Sequence, residues 1–457
     1  MHMAENLVKI QSDEKIIQLL NSQKARQFRE NYLDLHVYEQ AQIFTELNSQ
    51  QRARLYRYLT AKEVGDMFDA IEDEPEEVVK YFEEMTPQYV ANVIDEMYTD
   101  NAVDILAYVP KKDLAGYLRL LPTEKAAEIR EMLHYEDKTA GAIMSTEYVA
   151  IAGNQTVRSA MHVVKREASD AETIYYVYVV GADNKLIGVL TLRDLLINDD
   201  DQMITDIMTT PVMSVKVSDD QAEVAQTIRD YNFLAIPVTD YENKLIGIIN
   251  VDDIIDVIDE ESAEDYSGLA AVDTEEVADN PIKAASNRLP WLIVLLLLGM
   301  STTTLISHYE GMISQASILA IFVSSITGTA GNAGTQSLAV AVRRLASRDE
   351  DQPSVYRQFF IELLTGLVTG LVTGLTIFLI VGFWKQNFIL GFVIGMAMMC
   401  AITVANLAGS FIPNLMDKIG VDPAVASGPF ISTLSDLTSV LIYFNIAKLF
   451  MKFFMGT

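Results

Sequence analysis

Asp436 is the sole charged residue between Pro423 and Ala447, in the middle of the apolar stretch ISTLSDLTSVLIYF. An aspartate at the centre of a membrane-spanning helix costs ~2.5–3.5 kcal/mol on insertion scales, so such residues face a bundle interior or a water-filled path. Ser432, Asp436, Ser439 and Tyr443 follow one another at spacings of four, three and four. That spacing puts them on one helical face. Every group on the stripe accepts a hydrogen bond or binds a hard cation, and no histidine or cysteine lies there for a softer metal. Two readings stand: a carboxyl satisfied by a neighbouring helix, or a carboxylate on the wall of a cation passage.

Two further stretches carry chemistry. Residues 251–280, VDDIIDVIDEESAEDYSGLAAVDTEEVADN, hold 12 acidic residues and no lysine or arginine. Like charges at i and i+4 destabilise a helix by roughly 0.2–0.5 kcal/mol each. This is either a solvated linker, or a segment whose carboxylates are bridged by divalent cations. The candidate ligands are Asp252, Asp253, Asp256, Glu261, Glu264 and Asp265. The stretch GTAGNAGTQ places Gly328, Gly331 and Gly334 beside Asn332 and Gln336, a poor composition for a uniform helix. It predicts either a kink that lets helices cross, or a pore-lining turn that presents backbone and amide oxygens, Asn332 among them.

The elements that must hold these residues divide the 457-residue chain in two. Residues 1–283 contain 55 Asp/Glu against 25 Lys/Arg, whereas residues 284–457 contain 8 against 9. The acidic half disfavours nucleic acid, whose phosphates it would repel, and suits cations. The nearly uncharged half offers five segments long enough to span a bilayer, at about 291–308, 313–342, 359–384, 388–413 and 424–447. The polar first residues predict no secretory signal, so insertion falls to these segments. Arg343, Arg344, Arg348 and Arg357 lie between the second and third. By the positive-inside rule they place that loop and the acidic half in the cytoplasm, and five spans then put the C-terminus outside. Within the third segment Gly366, Gly370 and Gly374 recur every four residues, which predicts close helix packing. The single cysteine, Cys400, excludes a disulfide framework.

Residues 144–258 contain a repeat. Met144 and Met208 open the two copies, and NKLIG recurs at 184–188 and 243–247. Each copy alternates β-branched strands with an amphipathic helix. Before it, residues 1–135 read as short helical segments punctuated near Pro75, Pro87, Pro110 and Pro122, a stack of helical hairpins.

The repeat resembles a tandem pair of CBS domains. Such a pair ahead of an apolar domain carrying GTAGNAGTQ and VDPAVASGPFISTLSD resembles the MgtE family of magnesium channels. The resemblance implies a multidomain fold. A superhelical α-helical N-terminal domain (1–135) precedes the α/β CBS pair (136–258, with copies at about 144–198 and 208–258). An acidic connecting "plug" helix (259–284) leads to a membrane domain (285–457) with five helices per subunit. It also implies a homodimer in the plasma membrane with a Mg2+-selective pore on its two-fold axis. Asp436 sits where the family has its pore carboxylate, and Ser432 one turn earlier, where the family uses a backbone oxygen. Gly428 stands where relatives often carry asparagine, and Asn232 where relatives often carry an acid. The resemblance adds Asp100, Asp104 and Asp422 to the regulatory ligands, with Mg2+ closing the channel from the cytosolic side.

CBS pairs often bind adenine nucleotides such as ATP. Thr191 and Asp194 of GVLTLRD match the pattern that meets a ribose, with Arg193 beside them and Tyr176 and Phe233 placed to flank a base. Rival readings are a secondary transporter exchanging Mg2+ against Na+ or H+, and a nucleotide-sensing membrane receptor. No nucleophile–base pair, phosphate-binding loop or zinc spacing points to an enzyme.

Overall fold

The computed structural model describes residues 13–71, 75–169, 171–272, 281–346, 354–419 and 427–454. The chain forms two units, Met1–Ile258 and Asp259–Thr457.

The first unit opens with short helices from Ala25–Tyr32 to Thr123–Met132. Their starts are written in the sequence. Asn48 with Gln51, and Thr60 with Glu63, form reciprocal capping boxes. Thr86 caps the helix that begins at Pro87, where the missing proline N–H costs nothing. Leu20, Phe28, Tyr32, Phe44, Leu55 and Met67 are fully buried between these helices.

Each repeat then forms a three-stranded sheet. Strands β1 (Ala150–Ala152), β2 (Tyr176–Val180) and β3 (Leu186–Thr191) lie in that order, as do β4 (Val215–Lys216), β5 (Ala235–Thr239) and β6 (Leu245–Asn250). The first pair of each sheet is parallel and the second antiparallel. The recurring methionine and glycine are explained by an exchange between copies. Gly247 of the second copy has no room for a Cβ because Met144 Sδ would lie 2.7 Å away, and Gly188 of the first is filled in the same way by Met208. Tyr178 and Leu186 pack against Leu245 and Ile248, joining the two sheets.

The second unit is helical. Its long helices are Pro281–His308, Ile318–Ala346, Val355–Lys385, Phe388–Lys418 and Gly428–Phe454, with a short turn of helix at Glu310–Gln315. Among the described residues four are long and apolar enough to cross a membrane: Pro281–His308, Tyr356–Lys385, Phe388–Met416 and Gly428–Met451. Ile318–Ala346 has the length, but its glycines, serines, threonines and asparagine dilute its apolar content, so composition alone leaves it outside that set. The same helix corrects one expectation. GTAGNAGTQ runs through it as continuous helix, with no pore-lining turn.

The glycine ladder packs as its spacing predicts. A Cβ on Gly374 would lie 2.5 Å from the Gly395 carbonyl oxygen, and one on Gly395 the same distance from that of Gly374. Backbone therefore meets backbone between these two helices. Gly374→Leu is expected to cost about 1–3 kcal/mol or more through overpacking. The check is the thermal midpoint of the detergent-solubilised chain, which falls; an unchanged midpoint rules out backbone contact there.

Candidate metal centre and ion path

Three carboxylates from three segments converge in the first unit. Asp100 lies in the first turn of the helix Thr99–Ala107, Glu172 in the loop ahead of β2, and Asp253 in the first turn of the helix Val251–Ala270. Each offers an oxygen within 4.8 Å of the others. Asp100 is 7 % exposed, and its backbone neighbour Asn101 donates to its Oδ1 at 2.9 Å. The Asn250 N–H donates to Asp253 Oδ2 at 3.2 Å. The Lys125 amine is engaged elsewhere: its Nζ lies 2.8 Å from Glu147 Oε1 and also donates to the Met97 carbonyl and to Thr99.

The electrostatics follow. Burial, then the charges of Glu172 and Asp253, raise the Asp100 carboxyl well above the usual range. Burial, Glu172 and Asp252 push Asp253 up to about 8. Glu172 is raised by burial, and its Oε2 is buried without a hydrogen-bond partner. Glu147 is the contrast. Burial pushes it up, but Lys125 and hydrogen bonds from Thr99 and Ser145 outweigh this and hold it below the ordinary value. An all-oxygen set with an orphaned acceptor and no local counter-charge fits a hard divalent cation.

Of the expected ligands, the structure brings together Asp100 and Asp253. Asp252 is exposed beside them and contributes charge to both Glu172 and Asp253. Asp104 and Asp256 are exposed and outside the cluster, and Glu261, Glu264 and Asp265 lie further along the Val251–Ala270 helix. Asp422 falls outside the described residues. Glu172 was not anticipated. It is one acid in a polar loop, and only the docking of the N-terminal helices beside the first repeat gives it partners. Asn232 has a local explanation: it caps the helix Gln221–Tyr231 in the left-handed conformation (φ 53°), where asparagine is tolerated.

In the second unit, Asp436 is half-buried on the helix Gly428–Phe454, and no hydrogen bond or ion pair reaches its carboxylate among the described residues. Ser435 and Ser439 beside it are buried with unpartnered hydroxyls. The expected stripe is only partly a wall. Tyr443 is 1 % exposed and its hydroxyl donates to the Leu319 carbonyl at 3.0 Å, which ties it into the bundle. Ser432 packs against Gly331, where a Cβ would lie 2.8 Å from its Oγ. On the facing helix Ile318–Ala346, Ser325, Gly328, Asn332 and Gln336 are exposed on one polar stripe. The neighbouring helix Val355–Lys385 instead exposes Leu364, Leu371, Val372 and Phe383. At the start of the last helix Gly428 meets the connecting helix: a Cβ would lie 3.2 Å from the Leu269 carbonyl oxygen. Leu269 also packs beside Leu338, Val342 and Ile431.

The two repeats enclose a third feature, an aromatic cavity of about 380 Å³. Tyr176 and Phe233 both line it, as expected, with Tyr178, Tyr231 and Pro237. Thr191 and Asp194 do not. Thr191 Oγ1 donates to Asp194 Oδ2 at 2.7 Å in a capping box that starts the helix Leu192–Ile197, and Arg193 is exposed.

Known proteins share these features. The family model MgtE, a divalent cation transporter, matches residues 323–446. The MgtE intracellular N domain matches residues 35–138, and the CBS domain matches 140–199 and 204–260. Magnesium transporter MgtE of Enterococcus faecalis is 64% identical over 439 residues, covering 96% of this chain and 97% of its own. This chain belongs to the MgtE family. The Bacillus subtilis member, also named a magnesium transporter, is 36% identical over 98% of this chain and 99% of its own. The solved soluble part of a magnesium transporter is 56% identical and covers 56% of this chain and 100% of that one, with a TM-score of 0.54. The cytosolic domain of the Mg2+ channel MgtE in complex with ATP is 33% identical and covers 54% of this chain and 99% of that one, with a TM-score of 0.50. Membership with several apolar helices makes this MgtE chain a multi-pass membrane protein.

The raised carboxyls fix a pH signature. Without metal, the folded cluster holds protons that the unfolded chain releases near pH 4, so its contribution to stability falls as pH rises toward about 8. A bound cation displaces those protons, so its affinity rises over the same window. The Mg2+-induced gain in thermal midpoint is expected to be larger at pH 8 than at pH 6, read at about 2–4 °C per kcal/mol for a unit of this size. Asp253→Asn should flatten the difference; an equal gain at both pH values in the unaltered chain places the cation elsewhere.

Proposed function

We propose that this chain is a Mg2+-selective channel of the plasma membrane, working as a homodimer and closed by cytosolic Mg2+. The observation that carries the reading is Asp436: a half-buried carboxylate without a partner among the described residues, on an apolar helix, flanked by unpartnered hydroxyls. A buried acid that only stabilised the bundle would have found a donor. The exposed polar stripe of Ile318–Ala346 supports the same surface as the ion path, with that helix as the fifth span. Relatives named magnesium transporters support the cargo. The soluble unit lies in the cytoplasm and the C-terminus outside, following the arginine-bearing loop.

Mg2+ is strongly hydrated and sheds water reluctantly. A passage with few fixed ligands suits it. Two Asp436 carboxylates, one from each subunit, attract the hydrated ion. Binding of that kind is weak enough for exit.

Closure runs through the cluster. At high cytosolic Mg2+, an ion among Asp100, Glu172 and Asp253 removes their mutual repulsion and fixes the first turn of the Val251–Ala270 helix. The last turn of that helix holds Leu269 against Gly428 and Ile431. When the ion leaves, the cluster repels, the helix is released and the mouth opens. Differential binding to one state is what shifts the population. The aromatic cavity takes an adenine base between Tyr176 and Phe233, as the ATP complex of a relative supports.

Reconstituted into liposomes, Asp436→Ala is expected to keep the fold and lose Mg2+ flux by about tenfold or more, the scale of one lost charge-assisted contact. Wild-type flux in that variant ends the ion-path reading. Currents whose reversal follows the Mg2+ gradient alone support a channel over a coupled carrier. For gating, protease protection of the soluble unit should rise with Mg2+, and Glu172→Gln should shift that rise to higher Mg2+. Protection indifferent to Mg2+ overturns the closing mechanism.

A further inference from the structure

One buried charge in the membrane unit has no part in the mechanism above. Glu362 is the sole acid in the helix Val355–Lys385 and is 8 % exposed. Asn406, on Phe388–Lys418, donates from Nδ2 to Glu362 Oε2 at 2.9 Å and to the Glu362 carbonyl at 3.0 Å. Ser337, on Ile318–Ala346, donates from Oγ to the Asn406 carbonyl at 2.8 Å and lies 3.4 Å from Glu362 Oε2. Arg344, two turns further along the same helix, brings Nη2 within 3.9 Å of Glu362 Oε1. A cavity of about 20 Å³ among Gln358, Glu362, Ser410 and Asn414 has room for one water. Three helices thus meet on one carboxylate.

Its position on Ile318–Ala346 gives the network its consequence. Ser337 is buried, while its neighbour Gln336 and Asn332 one turn away are exposed on the polar stripe. On another face of the same stretch, Gly331 and Gly334 rest on Ser432, Ile431 and Ser435 of the last helix. The stripe is therefore set by a contact to the Asp436 helix alongside it and by the Glu362 anchor at its end. Shifting the anchor by a fraction of an ångström moves Asn332 and Gln336 relative to Asp436.

We propose that Glu362 is a positioning residue for ion passage, fixing the lateral setting of the Ile318–Ala346 helix through Asn406 and Ser337. This rests on the reading of that helix as the wall of the ion path. Because Glu362 does not touch the ion, its loss lowers the maximal rate and leaves ion binding at Asp436 alone.

The test is Mg2+ flux against Mg2+ concentration for the full chain in liposomes. Glu362→Ala is expected to lower maximal flux about tenfold, the effect of losing hydrogen bonds to a charged group, with the half-saturating Mg2+ concentration unchanged. Glu362→Gln keeps an acceptor for Asn406 and is expected to stay within about threefold of wild type. Should Glu362→Ala fail to fold, Ser337→Ala, which removes one donor, is expected to lower maximal flux about threefold at an unchanged thermal midpoint. Wild-type flux in whichever of these two variants folds overturns the proposal, as does a loss in Glu362→Gln as large as in Glu362→Ala. Asp436→Ala, run in parallel, separates the two readings. Wild-type flux there removes the ion path itself, whereas an impaired Asp436→Ala beside an unimpaired Glu362→Ala or Ser337→Ala removes only the positioning role.

Discussion

A carboxylate removed from water must be paired, protonated or given a cation. Three groups of acids among the described residues answer that constraint differently. Glu147 has Lys125, and its carboxyl is held low. Asp100, Glu172 and Asp253 have one another and no amine, and their carboxyls are pushed up. Asp436 has neither hydrogen-bond nor ion-pair partner among the described residues. The same residue class therefore makes a strut in one place and leaves unpaired oxygens in the other two, and unpaired oxygens are what the proposed regulation and ion passage would use. A fully paired acid would have no remaining affinity for a passing or regulating ion.

The strut and the regulatory cluster are adjacent. Thr99, which donates to Glu147 at 2.6 Å, precedes Asp100 in the chain, and Ser145 donates to the other Glu147 oxygen at 3.0 Å. The paired charge thus holds the N-terminal helices against the first repeat while the unpaired carboxylates next to it carry the repulsion. A contact of this kind needs no metal, so it holds whether or not a cation sits among the unpaired carboxylates.

Much of this was legible in the sequence, and for identifiable reasons. Asp436 stands out because a charge among apolar residues is costly wherever it is placed. The repeat is legible because the Met–Gly contacts are exchanged between copies, so both residues must recur at fixed spacing. The proline and Ser/Thr/Asn caps mark helix starts because they act within three residues. What spacing hides is anything assembled from distant segments. Glu172 joins Asp100 and Asp253 across 72 and 81 residues of chain. The acidic run from 251 onward drew attention by density, yet it supplies one ligand to the cluster, because successive residues of a helix point in different directions. The glycine run misled for a related reason. Composition says that glycines weaken an isolated helix, but here they let Ile318–Ala346 approach the last helix closely, and packing outweighs propensity.

Gly428 brings these threads together. An asparagine side chain at this position could offer an amide oxygen to a hydrated ion at the pore mouth. In this chain the space that its Cβ would enter is narrowed by the Leu269 carbonyl at 3.2 Å, so a side chain there would push the connecting helix back by a few tenths of an ångström. The absent side chain therefore favours close packing of the connecting helix. It lets backbone approach backbone at the point where the acidic helix ends and the last helix begins. On the proposed reading, a glycine here gives the connecting helix a closer seat and leaves Asp436, deeper in the same helix, as the oxygen ligand of the path.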